Sequence, residues 1–220
     1  RSDGARRSAS ARQARAAELF RRAEQEQAAG RPDQAVSLAR GVVEEYPASA
    51  VSGRALRLLA ESSLAAERWE LADRSADRYT GLLPPGDPRR VEMRLLQARA
   101  LAGSDDHGAR VERLLAISPD APRELLSDAL EQAREAVRFL SPDRAEELLE
   151  GTAAGHDLAP VLEAWYARLL VADGRTGEAE TRARSALDAG ARGPDSLLAV
   201  AVLEADDARL PDIPGRFVAR

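Results

Sequence analysis

The chain has 220 residues, 44% of them apolar but only 4% aromatic, and its 32 basic and 37 acidic residues give a formal net charge of −5. Charges of both signs are interleaved, as in Arg21-Arg22-Ala23-Glu24, so no basic stripe is present to neutralise a phosphate backbone, which argues against nucleic acid as a partner. Cysteine is absent, which excludes disulfides and thiolate metal sites, and no apolar run reaches the roughly 18 residues that a membrane-spanning helix needs.

Residues 1–10, made largely of Arg, Ser, Ala and Gly without an apolar period, read as a disordered lead-in. Residues 11–29 place Ala16, Leu19, Phe20 and Ala23 at helical spacing and end at Gly30, a residue suited to the position just past a helix. Pro32 fits the first turn of the next helix, which carries Ala35, Leu38, Ala39, Val42 and Val43 on one face until Pro47 stops it. A second pair covers residues 49–66 and 69–82, with Leu56, Leu59, Ala60 and Leu64 on one helix and Trp69, Ala72, Ala76 and Tyr79 on the other. Pro84-Pro85-Gly86-Asp87-Pro88 is a rigid break, at which a helical stack is expected to change curvature.

The third pair, 88–102 and 105–116, is shorter and has Asp105 or Ser104 as its capping residue. A fourth pair spans 123–140 and 142–152. After a soft joint at Gly151 to Gly155, a fifth spans 158–173 and 176–189, with Asp157 placed to cap its first helix. Residues 194–205 read as a terminal capping helix. Residues 206–220 contain Pro211 and Pro214, lack a helical period and read as an extended linker whose Phe217-Val218-Ala219 opens the first strand of a following domain.

A small residue recurs at the head of the second helix of these pairs. Ala35 and Ala72 stand 37 positions apart, as do Pro47 and Pro84, and Ala145 and Ala179 stand 34 apart. Each alanine follows a similar turn: Gly30-Arg31-Pro32-Asp33, Glu67-Arg68-Trp69-Glu70, Ser141-Pro142-Asp143-Arg144 and Gly174-Arg175-Thr176-Gly177. In the third pair this spacing puts His107 in the alanine's place. A period in the mid-thirties with a turn between two helix-length segments is the signature of stacked helical hairpins, whose bare function is to hold other proteins.

These units resemble tetratricopeptide repeats, matching at Ala23, Gly30, Ala35, Ala39 and Pro47 in the first unit, at Ala60, Trp69, Ala72, Ala76 and Pro84 in the second, and at Ala167, Gly174, Ala179, Ala183 and Ala186 in the last. The resemblance implies an all-α fold over residues 11–205, a right-handed superhelical stack of about five hairpins plus the capping helix. It also implies a concave groove lined by the first helix of each pair, which takes a protein or peptide partner. Carried onto this chain, the groove positions are Glu24, Gln27, Arg54, Arg57, Glu61, Leu64, Arg168 and Val171. Arg54, Arg57 and Arg168 there either clamp a partner's carboxylates or form ordinary pairs along a helix, such as Arg57–Glu61. Trp69 at its turn reads as a core residue; of the neighbours Trp165 and Tyr166, one is expected to pack and the other to face the groove.

Catalytic signals are thin, and the chain reads as a non-enzyme with no cofactor. His107 and His156 are too few for a multi-histidine metal site, and Asp105-Asp106-His107 reads as a helix start with an acidic first turn. Neither Gly30-Arg31-Pro32 nor Gly174-Arg175-Thr176-Gly177 has the spacing or the lysine of a phosphate loop. The phrase Glu44-Glu45-Tyr46-Pro47-Ala48-Ser49 resembles repeats of bacterial envelope lipoproteins, and helical repeats followed by a linker are similar to penicillin-binding-protein activators. That likeness implies a scaffold in envelope or cell-wall assembly, periplasmic or attached to the outer membrane, with a cytoplasmic location as the alternative. It also leaves open that the chain is the adaptor part of a larger protein, whose periplasmic-binding-protein-like or peptidoglycan-binding module follows Arg220. Oligomeric state cannot be read from the sequence.

Overall fold

The structure, a computed structural model, describes residues 2–118, 120–152 and 155–204, with residues 2–8 as backbone only. Among these residues there are eleven helices and no strand. They are α1 (Ser2–Ala28), α2 (Pro32–Glu45), α3 (Ser52–Ala65), α4 (Trp69–Gly81), α5 (Pro88–Gly103), α6 (His107–Leu115), α7 (Arg123–Val137), α8 (Pro142–Glu150), α9 (Ala159–Ala172), α10 (Thr176–Asp188) and α11 (Pro194–Leu203). Residues 2–10, expected as a disordered lead-in, are helical here as the first turns of α1; their Arg and Ala are good helix formers, and elongation of an existing helix costs little. The expected linker at 206–220 lies outside the described residues.

The chain forms two compact units that divide between Ser104 and Asp105. In the first, each helix packs on its successor from α1 to α5, and α3 also packs on α1 and α5, so α1, α3 and α5 form one layer with α2 and α4 in another. In the second, α9 is central and contacts α7, α8, α10 and α11, while α6 packs on α7 and α8. The boundary runs through the expected third hairpin, because α5 belongs to the first unit and α6 to the second. It does not fall at the proline break. There, Asp87 caps α5 by accepting from the Arg89 amide at 3.0 Å, and Arg90 donates to the carbonyls of Thr80 and Leu83 at 3.0 and 2.7 Å, bridging the end of α4 to the start of α5.

One position organises both units. Gly30 has a positive φ of 68°, and the amides of Gly30 and Arg31 return to the carbonyls of Gln27 and Glu26, closing α1 in a Schellman turn. Five residues later the amide of Ala35 donates to the Arg31 carbonyl, the first bond of the new helix. The same bond forms from Ala72 to Arg68, Arg110 to Asp106, Ala145 to Ser141 and Ala179 to Arg175. The four alanines are buried, with relative exposures of 0, 0, 2 and 0% in chain order. Where the two helices of a pair pack on each other, as α1 and α2, α3 and α4, and α9 and α10 do, a methyl group at this position lets the backbones come close, so Ala35, Ala72 and Ala179 record a repeated helix crossing. Ala145 lies on α8, which packs on α9 and α6.

In the third instance the structural equivalent is Arg110, five residues after Asp105 (φ 58°), and not His107. Arg110 is only 5% exposed and pairs with Glu135 on α7 at 2.8 Å. A guanidinium thus stands where the other four instances have a methyl group, which makes this unit irregular. Asp106, rather than Asp105 or Ser104, is its cap, accepting from the Ala109 amide at 3.0 Å.

The cores follow the aromatic-poor composition, being built mainly from Ala, Leu and Val with a few aromatic rings such as Phe20, Tyr79 and Tyr166. Trp69 departs from its reading as a largely buried residue. It is half-buried against the first core, with its indole lying over Gly103 at the end of α5. A Cβ at position 103 would stand 2.7 Å from its Cζ2 and closer still to Cδ2 and Cε2, so the glycine is what makes room for the ring.

Glu67 occupies the turn position held by Gly30 and Gly174, with φ of 55°, and makes the same Schellman bonds through Arg68 to Ser63 and through Glu67 to Leu64. A left-handed conformation costs a non-glycine residue about 1–2 kcal/mol, partly offset by the greater freedom glycine brings to the unfolded chain. Glu67→Gly is therefore expected to stabilise the protein by about 0.5–1 kcal/mol in urea unfolding. Destabilisation would show that the Glu67 side chain contributes more than its backbone strain costs.

Candidate functional site

Six of the eight residues read as groove-lining lie in the first unit, on α1 and α3. Gln27 and Glu24 project from α1, and the repeat spacing brings them to α3. The Ser62 hydroxyl, fully buried, donates to Gln27 Oε1 at 2.8 Å, and Arg54 Nη2 pairs with Glu24 at 3.1 Å while its guanidinium lies 4.5 Å from the centre of the Phe20 ring. One turn further along α3, Arg57 Nε meets Glu61 at 2.7 Å and its Nη2 meets Glu92 of α5 at 3.3 Å. Leu64 packs half-buried against the core below. The result is a charged row that crosses α1, α3 and α5 in the order Glu24, Arg54, Arg57, Glu61 and Glu92, with an apolar rim at Leu64.

The spacing of these contacts repeats the spacing of the sequence. Ser62 and Gln27 are 35 positions apart, Arg68 and Asp33, paired at 2.6 Å, are 35 apart, and Gln13 reaches the Ala48 carbonyl across 35 and the Ala50 amide across 37. Equivalent positions of successive hairpins thus face one another in this unit. The hydrogen bond to Glu61 is the main cause that holds the Arg57 guanidinium above its ordinary pKa, with the charges of Glu61 and Glu92 adding to it against the cost of burial. Arg54 and Arg57 therefore already have carboxylate partners within the chain. Such pairs, about half-exposed, are worth only about 0–1 kcal/mol, so they exchange at little cost.

Sequence reasoning missed Glu92 and Phe20 as members of the row. Glu92 stands 35 positions after Arg57, so the period contained the pairing, but α5 carries none of the repeat residues that would have drawn attention to it. Arg168 and Val171 lie in the second unit on α9, both half-buried, with Val171 packed against that unit's core.

In the second unit the two histidines have structural surroundings. His156 accepts from the Leu158 amide through Nδ1 at 3.1 Å, which leaves Nε2 protonated to donate to the Leu115 carbonyl at 3.0 Å. This ring, and not Asp157, organises the start of α9; that helix has no side-chain cap from its N-cap residue, Leu158. His107 stacks on Phe139 with centroids 4.2 Å apart and planes 13° apart. Trp165 is the half-buried member of its pair and Tyr166 the packed one, at 1% exposure. Asp195, on the first turn of α11, is 3% exposed and receives three hydrogen bonds of 2.7–3.1 Å from Arg134, pinning α11 to α7 across 61 positions. No group of three or more His, Asp or Glu side chains able to hold a metal occurs among the described residues. No protein-family model matches this chain, and no curated protein matches it.

Two consequences follow from these environments. Arg134→Ala leaves the Asp195 carboxylate buried without its counter-charge and is expected to cost about 3–5 kcal/mol. Asp195→Ala leaves a guanidinium whose side chain is 32% exposed and can turn to water, so about 1–2 kcal/mol is expected. Chemical denaturation of both variants checks the order, and equal losses would show that the pair's burial is not what sets its contribution.

Burial, and next the charge of Arg110, hold His107 below 6.5, with Asp105 and Asp106 opposing. The folded chain therefore prefers the neutral ring. Above pH 6.5 the imidazole is neutral in both states and exacts no penalty. As pH falls below 6.5 the unfolded chain takes up the proton first, and stability declines until the folded value is reached. His107→Phe keeps the stack and removes the titration, so its stability relative to the parent should rise between pH 7 and pH 5. Parallel pH profiles would contradict this.

Proposed function

We propose that this chain is a non-catalytic scaffold for protein–protein interaction, a right-handed stack of tetratricopeptide-like hairpins whose first helices present a groove to a protein or peptide partner. The observation that supports it is the charged row across α1, α3 and α5, where Arg54 and Arg57 stand in exchangeable ion pairs beside Leu64. A partner segment with spaced carboxylates and one large apolar residue matches that row, because guanidinium forks bind carboxylates in bidentate fashion. Action in bacterial envelope or cell-wall assembly is part of the proposal and rests on the likeness of Glu44 to Ser49 to envelope repeats; fractionation of the native host tests it.

Site-specific photo-crosslinking in the full chain tests the groove. A crosslinker at Glu61 or Leu64 is expected to capture a discrete protein in the native host, and one at Arg78, exposed on α4 and outside the row, is not. Capture should be lost in the Arg54→Ala/Arg57→Ala double variant. Equal capture at all three positions, or capture indifferent to the double variant, would remove the row from the function.

A further inference from the structure

The second unit contains an open cavity of about 600 Å³ that plays no part in the groove reading. One wall is a single face of α7, from Arg123 through Leu126 and Leu130 to Arg134; the others are the turn entering α9 and the loop from α10 to α11. Its charges are unbalanced in a specific way. Three guanidinium groups, Arg123, Arg134 and Arg192, face two carboxylates, Asp157 and Asp195. Arg134 and Asp195 neutralise each other in their buried pair. Arg123 and Arg192 are exposed and form no ion pair with a described residue, leaving Asp157 as the single opposing charge. Both nitrogens of His156 are engaged with backbone, so the ring shapes the turn. At the far wall, the amides of Gly190 and Ala191 cover the α10 carbonyls of Leu187 and Ala186, which would otherwise repel an anion. The lining also holds the partly exposed apolar side chains of Leu126, Leu130 and Pro160.

We propose that this cavity binds a small organic anion, a carboxylate joined to an apolar body. Arg123 and Arg192 take the carboxylate, for which a guanidinium offers paired donors, and the apolar body lies on Leu126, Leu130 and Pro160. The volume is in the range of pockets for small ligands, and apolar side chains beside two exposed guanidinium groups in one lining favour such a molecule over a fully hydrated inorganic anion. The cavity shares no residue with the charged row of the first unit, so it stands or falls independently of the groove.

The test is an amide-resolved NMR titration of the full chain at pH 7 with 4-phenylbutyrate, its uncharged amide and inorganic phosphate. Phenylbutyrate is expected to shift the amides of residues 155–161 and 189–195, and the uncharged amide to bind about tenfold more weakly, the loss of one charge-assisted contact. Phosphate should bind more weakly than the acid, because it cannot use the apolar side chains. Arg123→Gln/Arg192→Gln, two exposed positions whose spectrum reports retained folding, should weaken phenylbutyrate by about tenfold or more. Arg78→Gln in the first unit should not. No shift in those segments, equal binding of acid and amide, phosphate binding as tight as the acid, or a double variant that binds like the parent would each overturn the proposal.

Discussion

Everything regular in this protein depends on how closely two helices can approach at one backbone position. That position is the residue whose amide makes the first hydrogen bond of the second helix in each pair, at 35, 72, 110, 145 and 179. In four of the five instances it is a buried alanine. In the pairs that close on themselves, α1 with α2, α3 with α4 and α9 with α10, the constraint is steric and local: a tight turn at Gly30, Glu67 or Gly174, each with positive φ, swings the new helix back onto the old one, and the contact closes around a methyl group. Because aromatic residues are scarce, the cores have few bulky rings to wedge helices apart, and Ala, Leu and Val fill the narrow interhelical space.

The polar surface of the first unit inherits the same periodicity. Once hairpins repeat about every 35 residues, side chains one period apart are brought side by side, which is why Ser62 meets Gln27 and Arg68 meets Asp33. Arg57 bridges to Glu61 along its own helix and to Glu92 on the next layer helix. None of these partly exposed pairs contributes much to stability. They place guanidinium and carboxylate groups at fixed intervals across α1, α3 and α5, the arrangement on which the proposed groove rests. The second unit is built differently, with Asp195 and Arg134 fastening its last helix through a buried ion pair whose loss is costly.

Much of this was legible in the amino-acid sequence, for physical reasons. Amphipathic spacing located all eleven helices, and proline and glycine marked their ends because each acts locally on φ and on hydrogen bonding. The alanine period located the crossings of α1 with α2, α3 with α4 and α9 with α10. What failed depended on neighbours. The turn residues Glu67 and Asp105 stand 38 positions apart, three more than the spacing that pointed to His107, so the equivalent residue is Arg110, which a fixed spacing cannot detect. The start of α9 is organised by His156 through a backbone contact 41 positions away, so Asp157 was the nearer but wrong choice. Trp69 is half-buried because Gly103, distant in sequence, leaves space for its ring. The charged row was legible only in part, since Arg54, Arg57, Glu61 and Glu24 lie on helices that carry the repeat signature, whereas Glu92 lies on one that does not.

The most direct measurement of the steric account compares unfolding free energies of Ala179→Leu and Arg110→Met, two changes at equivalent backbone positions. Ala179→Leu forces extra methylenes into a closed crossing and should cost about 1–3 kcal/mol. Arg110→Met exchanges a buried guanidinium, whose Nε has no hydrogen-bond partner among the described residues, for an apolar chain of similar length, and should fall within about 1 kcal/mol of the parent. A tolerated leucine at 179, or a methionine at 110 as damaging as that leucine, would contradict the claim that the fold is set by close approach at this position.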